Sequence, residues 1–319
     1  VNDTANILTD AQPRNGEGQR GLSYNDLFAA TARVFPRRTL ATPDDEHAYI
    51  TEPPLWADYK QVHVSVTWTY DMPRAEQLAR EWERVAPVKI GGPGTGMRGE
   101  DFTPGFYLKH GYTITSRGCP NKCWFCSVWQ RDGTVRELQI HDGWSVQDDN
   151  LLGCSEQHIR AVFAMLKRQK RKAEFSGGLE AKLLKPWHVE LLADLKPKQM
   201  FFAYDTADDY EPLVAAGKLL TEARLNVGHQ ARCYVLCGWP KDDEDAAEKR
   251  LREAWAAGFF PYAMVWRDKQ GIINPRWRKF GYAWSQPLYA ARMLRDGTRP
   301  YQINQERDEP LFAANKAPP

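Results

Sequence analysis

The chain has no apolar run approaching the roughly 20 residues that a bilayer-crossing helix needs, so no membrane-spanning helix is expected. Its first residues, VNDTANILTDAQPRNGEGQRG, lack the basic-then-apolar order of a secretory leader. An excess of one charge sign is also missing: 43 Lys and Arg face 41 Asp and Glu, a formal net charge of +2. A balance this close neither requires nor excludes a nucleic-acid partner. No Cys precedes Cys119, and the six that occur are a tight trio followed by Cys154, Cys233 and Cys237. Three disulfides in an oxidising compartment are one reading, but the spacing of the trio favours metal in a reducing cytoplasm.

What is present suits a soluble globular protein. Hydrophobic residues make up 42% of the 319 and charged residues 26%, enough apolar material for one large domain or two smaller ones. Twelve Trp and thirteen Tyr read mainly as core and groove filling.

Four stretches are distinguishable. Residues 1–20 are polar and read as a flexible arm. Residues 21–108 contain an alternating, β-branched strand at Gln61–Trp68 and a helix over Met72–Val85. A short strand at Pro87–Ile90 then enters a glycine-rich turn. This predicts a small α/β extension built on one crossover unit. Residues 109–271 repeat strand and helix six times. The strands fall at Tyr112–Ser116, Trp144–Asp148, Ala173–Ser176, Gln199–Tyr204, Ala231–Cys237 and Pro261–Trp266. Ser155 caps the first long helix of this region. Such a pattern predicts an α/β fold with a parallel sheet that curls into a partial (β/α)6 TIM-like barrel. Residues 272–319 form an aromatic-rich extension across the barrel or its open edge. The basic run Lys167–Lys172 reads as the solvated carbonyl end of a helix, with a phosphate-contacting patch as the alternative.

The string Arg117-Gly118-Cys119-Pro120-Asn121-Lys122-Cys123-Trp124-Phe125-Cys126 places three thiols within eight residues, directly after a strand. Disulfide pairing leaves one thiol over. Structural zinc sites want four ligands, and no second pair or neighbouring His is at hand. A cubane held by three Cys leaves one iron open, whereas four-Cys ligation is usual.

This CxxxCxxC string, with an aromatic before its last Cys, resembles the signature of the radical S-adenosylmethionine (SAM) superfamily. Within it the pattern is nearest the cobalamin-associated and methylthiotransferase-like branch. The resemblance implies an enzyme with a [4Fe–4S] cluster on Cys119, Cys123 and Cys126. That enzyme cleaves SAM to a 5′-deoxyadenosyl radical, which abstracts hydrogen from a small metabolite or nucleotide. Two alternatives stay open: a radical SAM enzyme modifying a nucleic-acid base, and a non-catalytic iron–sulfur structural protein. The resemblance also implies an external electron donor such as flavodoxin or ferredoxin.

By the same resemblance Phe125 packs near the adenine, and Gly177-Gly178 with Glu180 lines the SAM amino group. Leu179 is inserted relative to the usual Gly-Gly-Glu order. Asp205 reaches a ribose hydroxyl, and the turn at Gly238 lies along the adenine. Asp149 and Cys237 are the candidate catalytic residues, one at the barrel mouth and one as a thiol donor or quencher. Residues 21–108 resemble a reduced cobalamin-binding domain without an Asp-x-His-x-x-Gly string, so cobalamin is not expected as a cofactor.

Overall fold

The structure, a computed structural model, describes residues 24–268 and 270–298. The predicted arm at 1–20 and residues 299–319 of the predicted extension lie outside the described residues. Among the described residues, no helix is long and apolar enough to cross a membrane.

The first unit begins with α1 (Tyr24–Ala29) and β1 (Thr31–Val34). It continues through β2 (Ala48–Tyr49), β3 (Gln61–Ser65), α2 (Met72–Trp82) and β4 (Val88–Gly91). The strands form a four-stranded parallel sheet in the order β2-β1-β3-β4. The single crossover unit expected from sequence is therefore only half of this sheet. Strands β1 and β2 are additional. Strand β1 escapes periodicity because all four of its residues are buried, the charged Arg33 among them. Arg33 pairs with Asp45, and its guanidinium donates to the carbonyls of Gly105 and Phe106, each at 3.0 Å. Helix α2 turns Ala75, Leu78, Ala79 and Trp82 onto Val62 and Val64 of β3, the i, i+3, i+4, i+7 stripe of a helix on a sheet.

The second unit starts with β5 (Tyr112–Thr113), followed by a small antiparallel pair of β6 (Ser116–Arg117) and β7 (Arg136–Glu137) around α3 (Val128–Arg131). Then come β8 (Ser145–Val146), α4 (Glu156–Lys167), β9 (Glu174–Phe175) and α5 (Pro186–Leu195). After them follow β10 (Gln199–Ala203), α6 (Tyr210–Glu222), β11 (Ala231–Cys237), α7 (Glu244–Ala256) and β12 (Phe260–Val265). Six strands make one parallel sheet in the order β12-β11-β10-β9-β8-β5. The general α/β class with parallel sheets is what the sequence predicts. Strand β11 matches its predicted span residue for residue.

The N-cap of α4 is Ser155, whose hydroxyl accepts from the His158 amide at 3.2 Å, filling one of the orphan donors of a helix start. The helix buries Ile159, Val162, Phe163 and Leu166 against the sheet. Finally α8 (Pro275–Ser285) packs on β12 and α9 (Pro287–Asp296) on α8. Trp277, Phe280 and Trp284 face inward, while Tyr282 stays outside.

The two units meet at the loops after their strands. Tyr70, stacked on Trp68 with centroids 6.0 Å apart, lies between the guanidinium groups of Arg37 and Arg267, at 5.2 and 5.5 Å. Gly271 packs so closely on the Tyr70 ring that a Cβ would sit 2.5 Å from it.

Candidate functional site

In parallel sheets the strands end together, and the loops beyond their carboxyl ends are the common place for ligands. Here a cavity of about 930 Å³ opens beyond β10 and β11. Trp124 of the cysteine loop, Tyr204 and Asp205 after β10, Trp239 after β11, and Lys249 and Glu253 of α7 contribute to its wall.

Asp205 is fixed by the amide of Leu236, which donates to its Oδ1 at 2.9 Å. Burial pushes its carboxyl up to about 6, against the pull of the Leu236 amide and with the help of nearby Asp209. Burial also opposes ionisation of Asp209, but Lys182 and Thr206 outweigh it and hold that carboxyl below its ordinary value. Two neighbouring acids are thus driven apart, one charged and one poised near neutrality. Tyr204 donates to Glu253 Oε2 at 2.7 Å, tying the end of β10 to α7.

Trp239 is held from behind. The Arg250 guanidinium lies 4.5 Å from its ring centroid and donates to both oxygens of Asp242 and to the Leu236 carbonyl. Asp242 in turn accepts from the Gly238 amide at 2.8 Å. Gly238 has φ +81°, and a Cβ there would meet the Trp277 ring at 2.7 Å, so this turn needs glycine. In front, Trp124 approaches Trp239 edge to face at 6.2 Å.

The predicted site residues are distributed around this mouth. Asp205 lines the cavity, and Gly238 shapes the turn beside it. Phe125 lies edge-on to Trp124, at 5.4 Å. Asp149 is mostly buried. Its Oδ2 accepts from the Gly118 amide at 2.8 Å and its Oδ1 is 3.8 Å from Arg131, so it braces the cysteine loop. Its pKa is raised by burial, with Gly118 and Arg131 opposing. Gly177 runs against the Asp148 backbone, where a Cβ would sit 2.2 Å from the carbonyl oxygen, and Gly178 has φ +100°. Glu180 Oε2 accepts from Asn150 Nδ2 at 2.6 Å. Cys237 is fully buried, its thiol pointing at the Val235 carbonyl at 3.3 Å and its pKa pushed up by burial.

The reading of Cys119, Cys123 and Cys126 as a cluster site requires correction. The three thiols are close enough that Cys126 and Cys119 add to burial in raising the pKa of Cys123. Cys119 Sγ, however, is taken at 3.4 Å by Asn150 Nδ2. Among the described residues no group of three or more His, Cys, Asp or Glu side chains is arranged to hold a metal ion. No family model matches the chain, and no curated protein matches it. The expected membership of the radical SAM superfamily, its [4Fe–4S] and SAM cofactors and the radical enzyme activity are overturned by these findings.

Several wall residues carry no signal in sequence. Lys249 and Glu253 read as the solvated face of a charged helix, opposite Ala247 and Leu251. Trp239 is marked only by the Gly238 turn before it.

Proposed function

We propose that the chain binds a small molecule carrying a planar ring and adjacent hydroxyl groups, of the nucleotide kind, in the cavity beyond β10 and β11. Asp205 is the observation that supports this most directly. One of its oxygens is fixed by a backbone amide, and the carboxyl lines the cavity. A carboxylate of that kind accepts two hydrogen bonds from a neighbouring pair of hydroxyls. The Trp239 ring offers an apolar face for a base, and stacking of a base on an aromatic ring contributes about 1–3 kcal/mol. Lys241 supplies positive charge in the same wall for a phosphate, joined by Lys249, whose ammonium lies 3.8 Å from Glu253. Arg250 is occupied by Asp242 and serves to hold Trp239 in place.

We also read the six-stranded sheet as a curled partial barrel, with this cavity in its mouth. The uninterrupted strand order from β5 to β12 supports that reading.

Titration of the tryptophan fluorescence with AMP, ATP and ribose 5-phosphate, alongside calorimetry, tests the binding. Saturable quenching by the nucleotides and weaker binding of the ring-less sugar phosphate are expected. Asp205→Asn should weaken binding roughly 10- to 150-fold, equivalent to losing a charged hydrogen-bond partner at about 1.5–3 kcal/mol. Affinity should fall as pH drops through about 6, where Asp205 takes up its proton. Absence of heat and of quenching at millimolar nucleotide refutes the reading.

A further inference from the structure

The cavity uses the carboxyl ends of the strands, and the opposite rim of the same sheet has a different character. The loops that lead into β9, β10 and β11 carry Lys170, Arg171, Lys172, Lys196 and Arg224, all exposed. Three carboxylates of this rim already hold a cation each: Asp194 pairs with Lys167, Glu174 with Lys198 at 2.7 Å, and Asp142 with Arg168 at 4.0 Å. Among the described residues, the five cations have no carboxylate partner. Arg171 is set in place by the Trp144 ring, 4.7 Å from its guanidinium carbon, so its N–H edges remain available.

A second observation is independent of charge. Among the described residues, three non-glycine positions have positive φ: Lys196 at 51°, Arg224 at 54° and His229 at 64°. All three stand on this rim, and all three are basic residue types. Lys196 caps the end of α5, and Arg224 follows α6 by two residues. Those are positions where glycine is the unstrained choice. A cation is kept there against the backbone preference, and strain of this kind gathers at functional sites.

We propose that this rim docks the phosphate backbone of duplex RNA. Neighbouring strands are about 4.8 Å apart, so three adjacent loops span roughly 10 Å before their side chains extend it. A DNA duplex presents a charge about every 1.7 Å along its axis and the A-form RNA duplex is at least as dense, so a patch of this width meets several phosphates. Among the described residues, the rim is made of connecting loops and one short helical turn at Val227–His229, too short to lie in the major groove of DNA. Trp144, beside this rim before β8, has Arg171 over its ring, and the His229 ring on the rim packs edge-on to Phe260 at 4.0 Å, an arrangement that disfavours base stacking by single strands. Duplex RNA is recognised by shape, through phosphates and 2′-hydroxyls across a wide, shallow groove, and a cationic rim of loops suits that surface.

The test is fluorescence anisotropy of the full chain with a labelled 20-base-pair RNA of arbitrary sequence at 50, 100 and 200 mM salt. The key variant combines Lys170→Ala, Lys172→Ala, Lys196→Gly and Arg224→Gly, the two glycines relieving the left-handed backbone. Its thermal midpoint should be unchanged or higher, its affinity at 50 mM salt should fall at least tenfold, and its log–log salt slope should become shallower by about 3.6, at about 0.9 for each of the four cations removed. A control with Arg98→Ala and Arg295→Ala should keep the original slope. Failure of the wild-type chain to bind at 50 mM salt overturns the proposal. An unchanged slope in the rim variant, or equal affinity for a DNA duplex of the same length, does so as well.

Discussion

Asp205 makes a strong prediction because a residue held for binding should be a burden to folding. Burial holds its carboxyl at about 6, against an ordinary 3.8. The native state therefore binds a proton more tightly than the unfolded chain. Below about pH 4 the group is protonated in both states and costs nothing. Between 4 and 6 the unfolded chain releases its proton first, so stability falls as pH rises. Above 6 the full penalty is present, and about two pH units at about 1.4 kcal/mol each give roughly 3 kcal/mol. Asp205→Asn removes the titration while keeping an oxygen for the Leu236 amide. The variant should match the wild type near pH 4 and exceed it by up to about 3 kcal/mol at pH 7 and above. Urea unfolding at pH 4, 5, 6, 7 and 8 measures the difference, and subtracting the two curves cancels groups that titrate alike in both. Asp209, the charged neighbour, is a partner whose change does not cancel, and it should become easier to ionise in the variant. A difference that is constant across pH, or that favours the wild type at pH 8, refutes the reasoning.

Three further outcomes follow from packing. Trp284 is fully buried and, among the described residues, its indole N–H has no acceptor, so Trp284→Ala should cost about 3–5 kcal/mol in urea unfolding. Trp284→Phe, which removes the unpaired donor as well, should cost less than half of that. A Cβ on Gly217 would lie 1.8 Å from the Ala257 carbonyl oxygen, so Gly217→Ala should destabilise by at least about 2 kcal/mol as α6 is forced away from the end of α7. Arg33→Ala takes a charged donor from two loop carbonyls and from Asp45, which keeps the His47 amide, a loss of about 1.5–3 kcal/mol, visible as early melting of the first unit by hydrogen exchange.

The contrast between β11 and β1 shows what was legible in the sequence. Strand β11 is seven residues long, with apolar residues at most positions, and its ends are plain. Strand β1 is four residues with an arginine in its middle. Its burial depends on Asp45 and on carbonyls some seventy residues away, which no local period encodes. The site divides in the same way. Asp205 and Gly238 stand at strand ends and can be found by counting along the repeat. Trp124, Lys249 and Glu253 reach the cavity from a loop and a helix that come together only in three dimensions. The cysteine string is the opposite case. Its spacing specifies distance along the chain, whereas the direction of each thiol depends on partners such as Asn150, which lies 31 residues from Cys119.

The lengths of the outer strands bear on behaviour at high concentration. An exposed strand edge is a template for pairing with another chain, and folds that stay dispersed keep such edges short, twisted or covered. Strands β2 and β5, each at the end of its sheet, have two residues apiece, too little ladder to seed addition of a foreign strand. Strand β12, the long outer strand of the second sheet, contains Pro261, which offers no amide proton, and α8 lies against it. Among the described residues, β4 alone is left as an unpaired outer edge of ordinary length, and it runs out at Gly91 into a turn containing Pro93. Fibrillar or edge-to-edge association should therefore begin, if it begins anywhere, along Val88–Gly91.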